Sequence, residues 1–206
     1  MCVIVTAEPG HMPDPVTLAL MSQANPDGAG IAWHDGKRIH TYRHPDNHHT
    51  LAYIHANWQA IEAAPALIHF RLATHGTVCL ENTHPFPYTL TNGETGWIAH
   101  NGIAHAYTHG THESDSRNAI DAWQRGETDL TSGLNGKFAL ITSHGEIRWL
   151  HGEQPLTEGV SVSNTWWMDG TEWTLPYELG YQNAIDDLEA NGYDLYDPTG
   201  IPDWRP

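Results

Sequence analysis

Cys2-Val3-Ile4-Val5-Thr6 is the stretch on which the reading of this chain turns. Four β-branched residues in succession predict a short buried strand. Methionine aminopeptidase removes an initiator Met that precedes a small residue, so Met1-Cys2 predicts a mature chain beginning at Cys2. Such a residue carries a thiol nucleophile and a free α-amine on one atom framework. The amine can act as general base for its own thiol, directly or through one water. On position alone Cys2 also reads as the small apolar start of a strand. Residues farther along the chain decide between the two.

The chain has 206 residues, and its 39% hydrophobic content is enough for a core held without disulfides or metals. One domain over 2–206 is expected, with a C-terminal helix and tail at 180–206. No run approaches the 18 or so apolar residues of a membrane span, and the first residues lack the basic region and long apolar core expected of a signal peptide. Cys2 and Cys79 are its only cysteines, and a free thiol nucleophile needs a reducing compartment, so a cytoplasmic location is expected. A formal charge of −16, with only 9 Lys and Arg, argues against direct binding of nucleic acid. Oligomeric state is not legible.

Outward from the first strand, Asp14-Pro15 supplies a cap and a first-turn proline for a helix over 16–24. Turn residues Asn25-Pro26-Asp27-Gly28 lead into a strand at 31–34, and Asp35-Gly36 marks a hairpin. Leu51, Ile54, Trp58 and Ile61 recur at helical steps, predicting an amphipathic helix over 49–63. A strand at 66–72 is followed by a polar loop to about Thr95. Strands at 97–100 and 103–107 are expected around an Asn101-Gly102 turn, then a helix over 116–125. Further strands are expected at 138–143, 147–150 and 160–163, and a polar helix at 182–191. Strands grouped with helices, without regular βαβ alternation, indicate an α+β fold.

Several segments place polar residues where local structure does not require them. His69-Phe70-Arg71-Leu72-Ala73-Thr74-His75-Gly76 ends a strand with Arg71 embedded among apolar residues. Asn82-Thr83-His84-Pro85, His100-Asn101-Gly102 and Glu113-Ser114-Asp115-Ser116 follow in order. With Cys2 in front, this series resembles the class II glutamine amidotransferases, whose glutaminase domain is an N-terminal-nucleophile hydrolase. The likeness extends over about 2–165 and implies a four-layer αββα fold, two packed antiparallel sheets flanked by helices.

The resemblance implies Cys2 as nucleophile and Asn101 and Gly102 as oxyanion donors. The Asn101 amide and the Gly102 N–H suit that task, and glycine lets the backbone approach closely. An ordinary hairpin turn at Asn101-Gly102 is compatible with it. Arg71 matches the residue that pairs the glutamine α-carboxylate, a task for a planar fork. Asp115 matches the residue that receives the α-ammonium, and Thr74, His75 and His84 match neighbouring pocket positions. A structural ion pair between Arg71 and Asp115, or a helix-capping Asp115, is the plainer alternative. Two departures stand out: Val3 where many members have Gly, and Leu72 where several have Trp.

The 16 histidines invite a metal site, notably His105, His109 and His112, or His44, His48 and His49, but their spacing lacks the usual mixed ligand pattern. No metal and no cofactor are expected. Cys79 is read as a free thiol. Residues 162–167 are read as a core strand running into an aromatic-packed turn, without assigned chemistry. The expected activity is hydrolysis of L-glutamine to glutamate and ammonia through a Cys2 thioester, with ammonia passed to a separate synthase. Ile68-His69-Phe70-Arg71, Glu81-Asn82-Thr83-His84-Pro85-Phe86 and Ser163-Asn164-Thr165 together look like small bacteriophage-encoded amidotransferases, some associated with deazaguanine modification of nucleic acid. Hydrolysis of another γ-glutamyl compound, or a binding module with the same fold, are the competing readings.

Overall fold

Why two sheets stack here follows from which face of each strand is apolar. In the computed structural model, which describes residues 2–74, 76–168, 183–186 and 190, the first strand, β1 (Val3–Ala7), is buried along its whole length. It pairs antiparallel with β4 (Ala66–Phe70) on one side and β10 (Val160–Val162) on the other. With β2 (Ala29–His34), β3 (Ile39–His44) and β9 (Gln154–Thr157) these make a six-stranded sheet in the order β3-β2-β4-β1-β10-β9. The second sheet is β5 (Phe86–Thr89), β6 (Thr95–Asn101), β7 (Lys137–Thr142) and β8 (Ile147–His151), in that order. Every recorded pairing is antiparallel.

Alternation along each strand sorts side chains into three cores. Val3, Val5, Ile31, Trp33, Ile68 and Phe70 pack against helices α1 (Pro15–Ala24) and α2 (Asn47–Ala56). On the opposite face Ile4, Ala32 and Leu67 meet Ala99, Ala139 and Ile141 of the second sheet. The outer face of that sheet buries Ile98, Phe138 and Leu140 with Ala119 and Ile120 of α4 (Asp115–Gln124). The layers therefore run helix, sheet, sheet, helix, the α+β order expected.

Local chemistry explains the element ends. Asp14 caps α1, its carboxylate accepting from Val16 N at 2.9 Å and Thr17 N at 3.0 Å. The single helix expected over 49–63 is instead two, α2 and α3 (Trp58–Glu62). Asn57 breaks it, turning its amide back to the Tyr53 carbonyl at 2.8 Å in competition with the helical ladder. The expected strand at 103–107 is absent. The chain leaves β6 at Asn101, and 105–107 form a 3-10 turn drawn toward α4 by Asp115, which accepts from Ala104 N, and by Asn118, which donates to Tyr107 O. Asn101-Gly102 is thus a strand end rather than a hairpin turn. Two strands escaped expectation, β5 within the supposed polar loop and β9. Both are edge strands containing a proline, Pro87 and Pro155, which masks the strand pattern.

Gly30 sits where β2 passes under the His84 carbonyl, and a Cβ there would lie 2.2 Å from that oxygen. Residues 183–186 are helical, with Ala184 in the helix-side core. The expectations for Met1, for His75 and for the rest of the C-terminal helix and tail lie outside the described residues. Among the described residues no helix is long and apolar enough to cross a membrane.

Candidate active site

Strand alternation brings the proposed nucleophile and the proposed oxyanion donor to one seam. Val3 and Val5 face the helices and Ile4 faces the second sheet, so Cys2 falls on the Ile4 side. In β6 the inter-sheet residue is Ala99, which puts Asn101 on that same side. Val160 and Val162 of β10 face the helices, and Ser163 turns toward the seam. Ser163 is fully buried and joins the two sheets. Its Oγ lies 2.9 Å from Ile4 N and 2.8 Å from the Asn101 side-chain nitrogen. Its backbone N–H donates to Ile4 O at 3.0 Å, and Lys137 Nζ donates to its carbonyl. The next residue, Asn164, donates from its side chain to the Cys2 carbonyl at 2.7 Å.

Cys2 Sγ rests on the backbone of Leu72, 3.4 Å from its N–H and 3.5 Å from its carbonyl oxygen. Burial pushes the thiol up, while the Leu72 N–H and the nearby Arg71 charge pull the other way. Among the described residues no imidazole or carboxylate hydrogen-bonds Sγ. The Leu72 departure therefore falls at the backbone on which the Cys2 thiol rests. Val3, the other departure, is buried in the helix-side core.

Arg71 follows β4 and is clasped by the turn before β2. Its N–H donates to Gly28 O at 2.8 Å, and its carbonyl accepts from Asp27 N at 2.9 Å. The Asp27 carboxylate accepts from Ala73 N at 2.7 Å. The guanidinium is buried and donates to Thr77 O at 3.1 Å and Gly76 O at 3.4 Å. Glu113 secures that loop by accepting from the Thr77 hydroxyl at 3.0 Å, and Asn82 donates to Thr77 O at 3.1 Å. These contacts set the position of Arg71 from both sides. Thr74, in contrast, is exposed on the same loop.

Asp115 is buried, and its Oδ2 accepts from Ala104 N at 2.7 Å, so it holds the loop that leaves Gly102. It does not cap α4; Ser114 does, accepting from Arg117 N. Gly102 has φ +145, and a Cβ would lie 2.9 Å from Gly136 Cα, so only glycine presents its N–H here without strain. His84 is buried and packs at a tilt against His69, with centroids 4.3 Å apart, and against Phe86 at 4.2 Å. Neither of its ring nitrogens has a partner among the described residues. His69 Nε2 donates to His100 O at 3.0 Å. His100 donates through Nε2 to Asn135 O at 2.8 Å and accepts at Nδ1 from Ser116 at 2.7 Å. Burial drives all three imidazoles down, His69 to about 3, His100 to about 4 and His84 well below its ordinary value. All three rings are therefore neutral: His69 and His100 act as hydrogen-bonding groups, and His84 packs against His69 and Phe86.

Asp27, Lys137, Ser163 and Asn164 were not singled out as site residues from sequence. The only available signal was a polar Ser-Asn pair directly after a buried strand. Among the described residues no group of three or more His, Cys, Asp or Glu could hold a metal ion. His44 stacks on His49 at 3.9 Å, His48 bonds Asp46 at 2.7 Å, and His112 bonds Asp121 at 2.9 Å. Cys79 is a free thiol. An apolar hollow of about 500 Å³ between α1 and α2, lined by Val16, Leu18, Leu51, Ile54 and Trp58, lies on the helix side of the first sheet, opposite the seam.

The family model of glutamine amidotransferases class-II matches residues 18–120, half of the 206, and this chain belongs to that family of N-terminal-nucleophile hydrolases. The match includes Arg71, Thr74, His84, Asn101, Gly102 and Asp115. Cys2 and Ser163 lie outside it. YafJ, a candidate glutamine amidotransferase of Escherichia coli (strain K12), is 35% identical over 83 residues, 39% of this chain and 32% of YafJ. Among solved structures, a glutamine phosphoribosylpyrophosphate amidotransferase from B. subtilis gives a TM-score of 0.44 at 16% identity, over 82% of this chain and 43% of that one. An allosteric regulatory enzyme of purine biosynthesis gives 0.46 at 19%, over 69% and 36%. The matched regions thus span 32 to 43% of these longer relatives.

Proposed function

We propose that this class II glutamine amidotransferase hydrolyses L-glutamine at Cys2 and delivers the ammonia to a partner synthase. The observation that carries the reading is the meeting of Cys2, Asn101 and the Arg71–Leu72 backbone at one end of the inter-sheet seam. With Met1 removed, the Cys2 α-amine takes the thiol proton and the sulfur attacks the side-chain amide carbon of glutamine. A C–S bond forms as the carbonyl electron pair moves onto oxygen. Asn101 Nδ2 and the Gly102 N–H donate to that oxyanion. The ammonium of Cys2 returns its proton to the amide nitrogen, the C–N bond breaks, and ammonia leaves a γ-glutamyl thioester. Water, deprotonated by the same amine, adds to the thioester, expels the thiolate and releases glutamate.

A thiol raised by burial needs such a base, and among the described residues no side-chain base bonds it. In this reading Arg71 pairs the substrate α-carboxylate and Asp115 its α-ammonium, with Thr74, His75 and His84 completing the pocket. Both Arg71 and Asp115 are buried, which supports a role in a desolvated site. The residues are held as one unit, a single glutaminase domain. Ammonia is largely protonated in neutral water, so a partner that shelters its passage preserves the nucleophile. The likeness of Ser163-Asn164-Thr165 and the two earlier segments to phage amidotransferases supports a deazaguanine-type acceptor in a bacterial cytoplasm. The −16 charge supports leaving any nucleic acid to the partner.

Untagged protein should release glutamate from glutamine, and Cys2→Ala should abolish it. Equal rates for the two proteins would sink the mechanism. A blocked α-amine should be as damaging as loss of the thiol. The native complex should copurify with a base- or nucleotide-modifying synthase, and its absence would remove the acceptor assignment alone.

A further inference from the structure

Ser163 is buried at the junction of the nucleophile strand and the oxyanion strand, and its hydrogen bonds leave an imbalance beside it. A serine hydroxyl has one proton to give and two lone pairs to receive. Here Oγ faces two N–H groups, Ile4 N at 2.9 Å and the Asn101 side-chain nitrogen at 2.8 Å. Both lone pairs are occupied, and among the described residues the hydroxyl proton has no acceptor. On the other side of the same amide, Asn101 Oδ1 is buried without a partner. A bare carbonyl oxygen is an unfavourable lining for a developing oxyanion and costs free energy when buried.

A half-turn of the Asn101 amide exchanges oxygen and nitrogen at nearly the same positions. Ile4 N–H still donates to Ser163 Oγ. The Ser163 proton now has an acceptor in Oδ1, and Nδ2 takes the place of the unpartnered oxygen. Every group that faces Ser163 is then satisfied, and the two amide N–H bonds of Asn101 are aimed away from it. Taking Asn101 as an oxyanion donor, as in the function above, we propose that Ser163 is the positioning residue that locks the Asn101 amide in its donating orientation.

The serine is itself fixed from two strands, and its neighbour Asn164 holds the chain start. Its N–H bonds Ile4 O in β1, its carbonyl is gripped by Lys137 of β7, and Asn164 beside it holds the Cys2 carbonyl. The segment that sets the donor therefore also sets the nucleophile's backbone. Removing the hydroxyl leaves the amide free to choose either orientation, which lowers transition-state binding and spares ground-state binding.

The test compares wild type, Ser163→Ala and Ser163→Thr. It uses glutamine turnover, L-glutamate affinity, and inhibition by glutamate γ-semialdehyde, whose adduct with Cys2 carries the tetrahedral oxygen. Ser163→Ala should lower kcat about 10- to 100-fold, somewhat less than outright loss of an oxyanion donor, with KM changed less than about twofold. Semialdehyde inhibition should weaken by the same factor while glutamate affinity holds, and a folded Ser163→Thr should recover most of kcat. Unchanged kcat in Ser163→Ala, an equal loss of glutamate affinity, or a folded Thr variant as slow as Ala would overturn the assignment. Wild type no faster than Cys2→Ala would instead refute the glutaminase reading. In that event, or if the variants do not fold, neutron diffraction of the deuterated wild type decides. Deuterium on Ser163 Oγ directed at Asn101 Oδ1 supports the proposal, and two deuterons on the Asn101 atom facing Ser163 refute it.

Discussion

Arg71 is a single side chain embedded through its backbone in one loop and through its guanidinium in another. Its main chain bonds Gly28 and Asp27, while its fork reaches the Gly76 and Thr77 carbonyls. A lysine in its place keeps the charge and loses the planar pair of donors. Arg71→Lys is expected to raise KM for glutamine about tenfold, the equivalent of about 1.4 kcal/mol, with kcat changed far less. Steady-state kinetics on the untagged protein checks this, and a selective loss of kcat would remove Arg71 from substrate binding. Arg71, Asn101, Gly102 and Asp115, the proposed site residues, were conspicuous in the sequence because each is a polar or conformationally special residue in a setting that local structure does not demand. Ser163 and Asn164 were not. They act on partners 62 to 162 residues away, and no local pattern records such a contact.

At the scale of elements, β2 and the His84 segment are bound by closeness rather than by side chains. A Cβ on Gly30 would meet the His84 carbonyl at 2.2 Å and Tyr42 O at 3.0 Å, both backbone atoms that a rotamer change cannot move. Gly30→Ala should therefore destabilise the fold by roughly 1–3 kcal/mol, the cost of overpacking, despite the strand-compatible backbone. Denaturant unfolding measures it, and an unchanged midpoint would show that the two segments separate easily. The Asp14-Pro15 cap made α1 readable, as did the apolar face of α4 and the β-branched run of the first strand for those elements. The interrupted helix at Asn57 and the proline-bearing edge strands β5 and β9 were hidden by residues that break those patterns. The Asn101-Gly102 pair misled because its turn chemistry is used to end a strand, with Asp115 taking the following residues to α4.

For the whole molecule, three neutral imidazoles lie in the packed interior: His69, His84 and His100. Burial holds each below its ordinary value of 6.5, to about 3 for His69 and about 4 for His100. The unfolded chain therefore binds protons that the folded one refuses. Their stabilising contribution is complete above about pH 6.5 and is lost as pH falls toward 4 and below. Each contributes a slope of up to about 1.4 kcal/mol per pH unit in that window. Urea midpoints should stay flat from pH 8 to 7 and drop steeply from pH 6 to 4.5. A flat profile to pH 4.5 would mean that the imidazoles accept protons within the fold. The contact between Cys2 and Asn164 has a different consequence, in time rather than in energy. A ribosome emits Cys2 162 positions before the residue that holds its carbonyl. A nascent chain thus carries its thiol long before it has a site. Hydrolysis should switch on abruptly when β10 and Ser163-Asn164 emerge, so stalled fragments ending before them should release no ammonia.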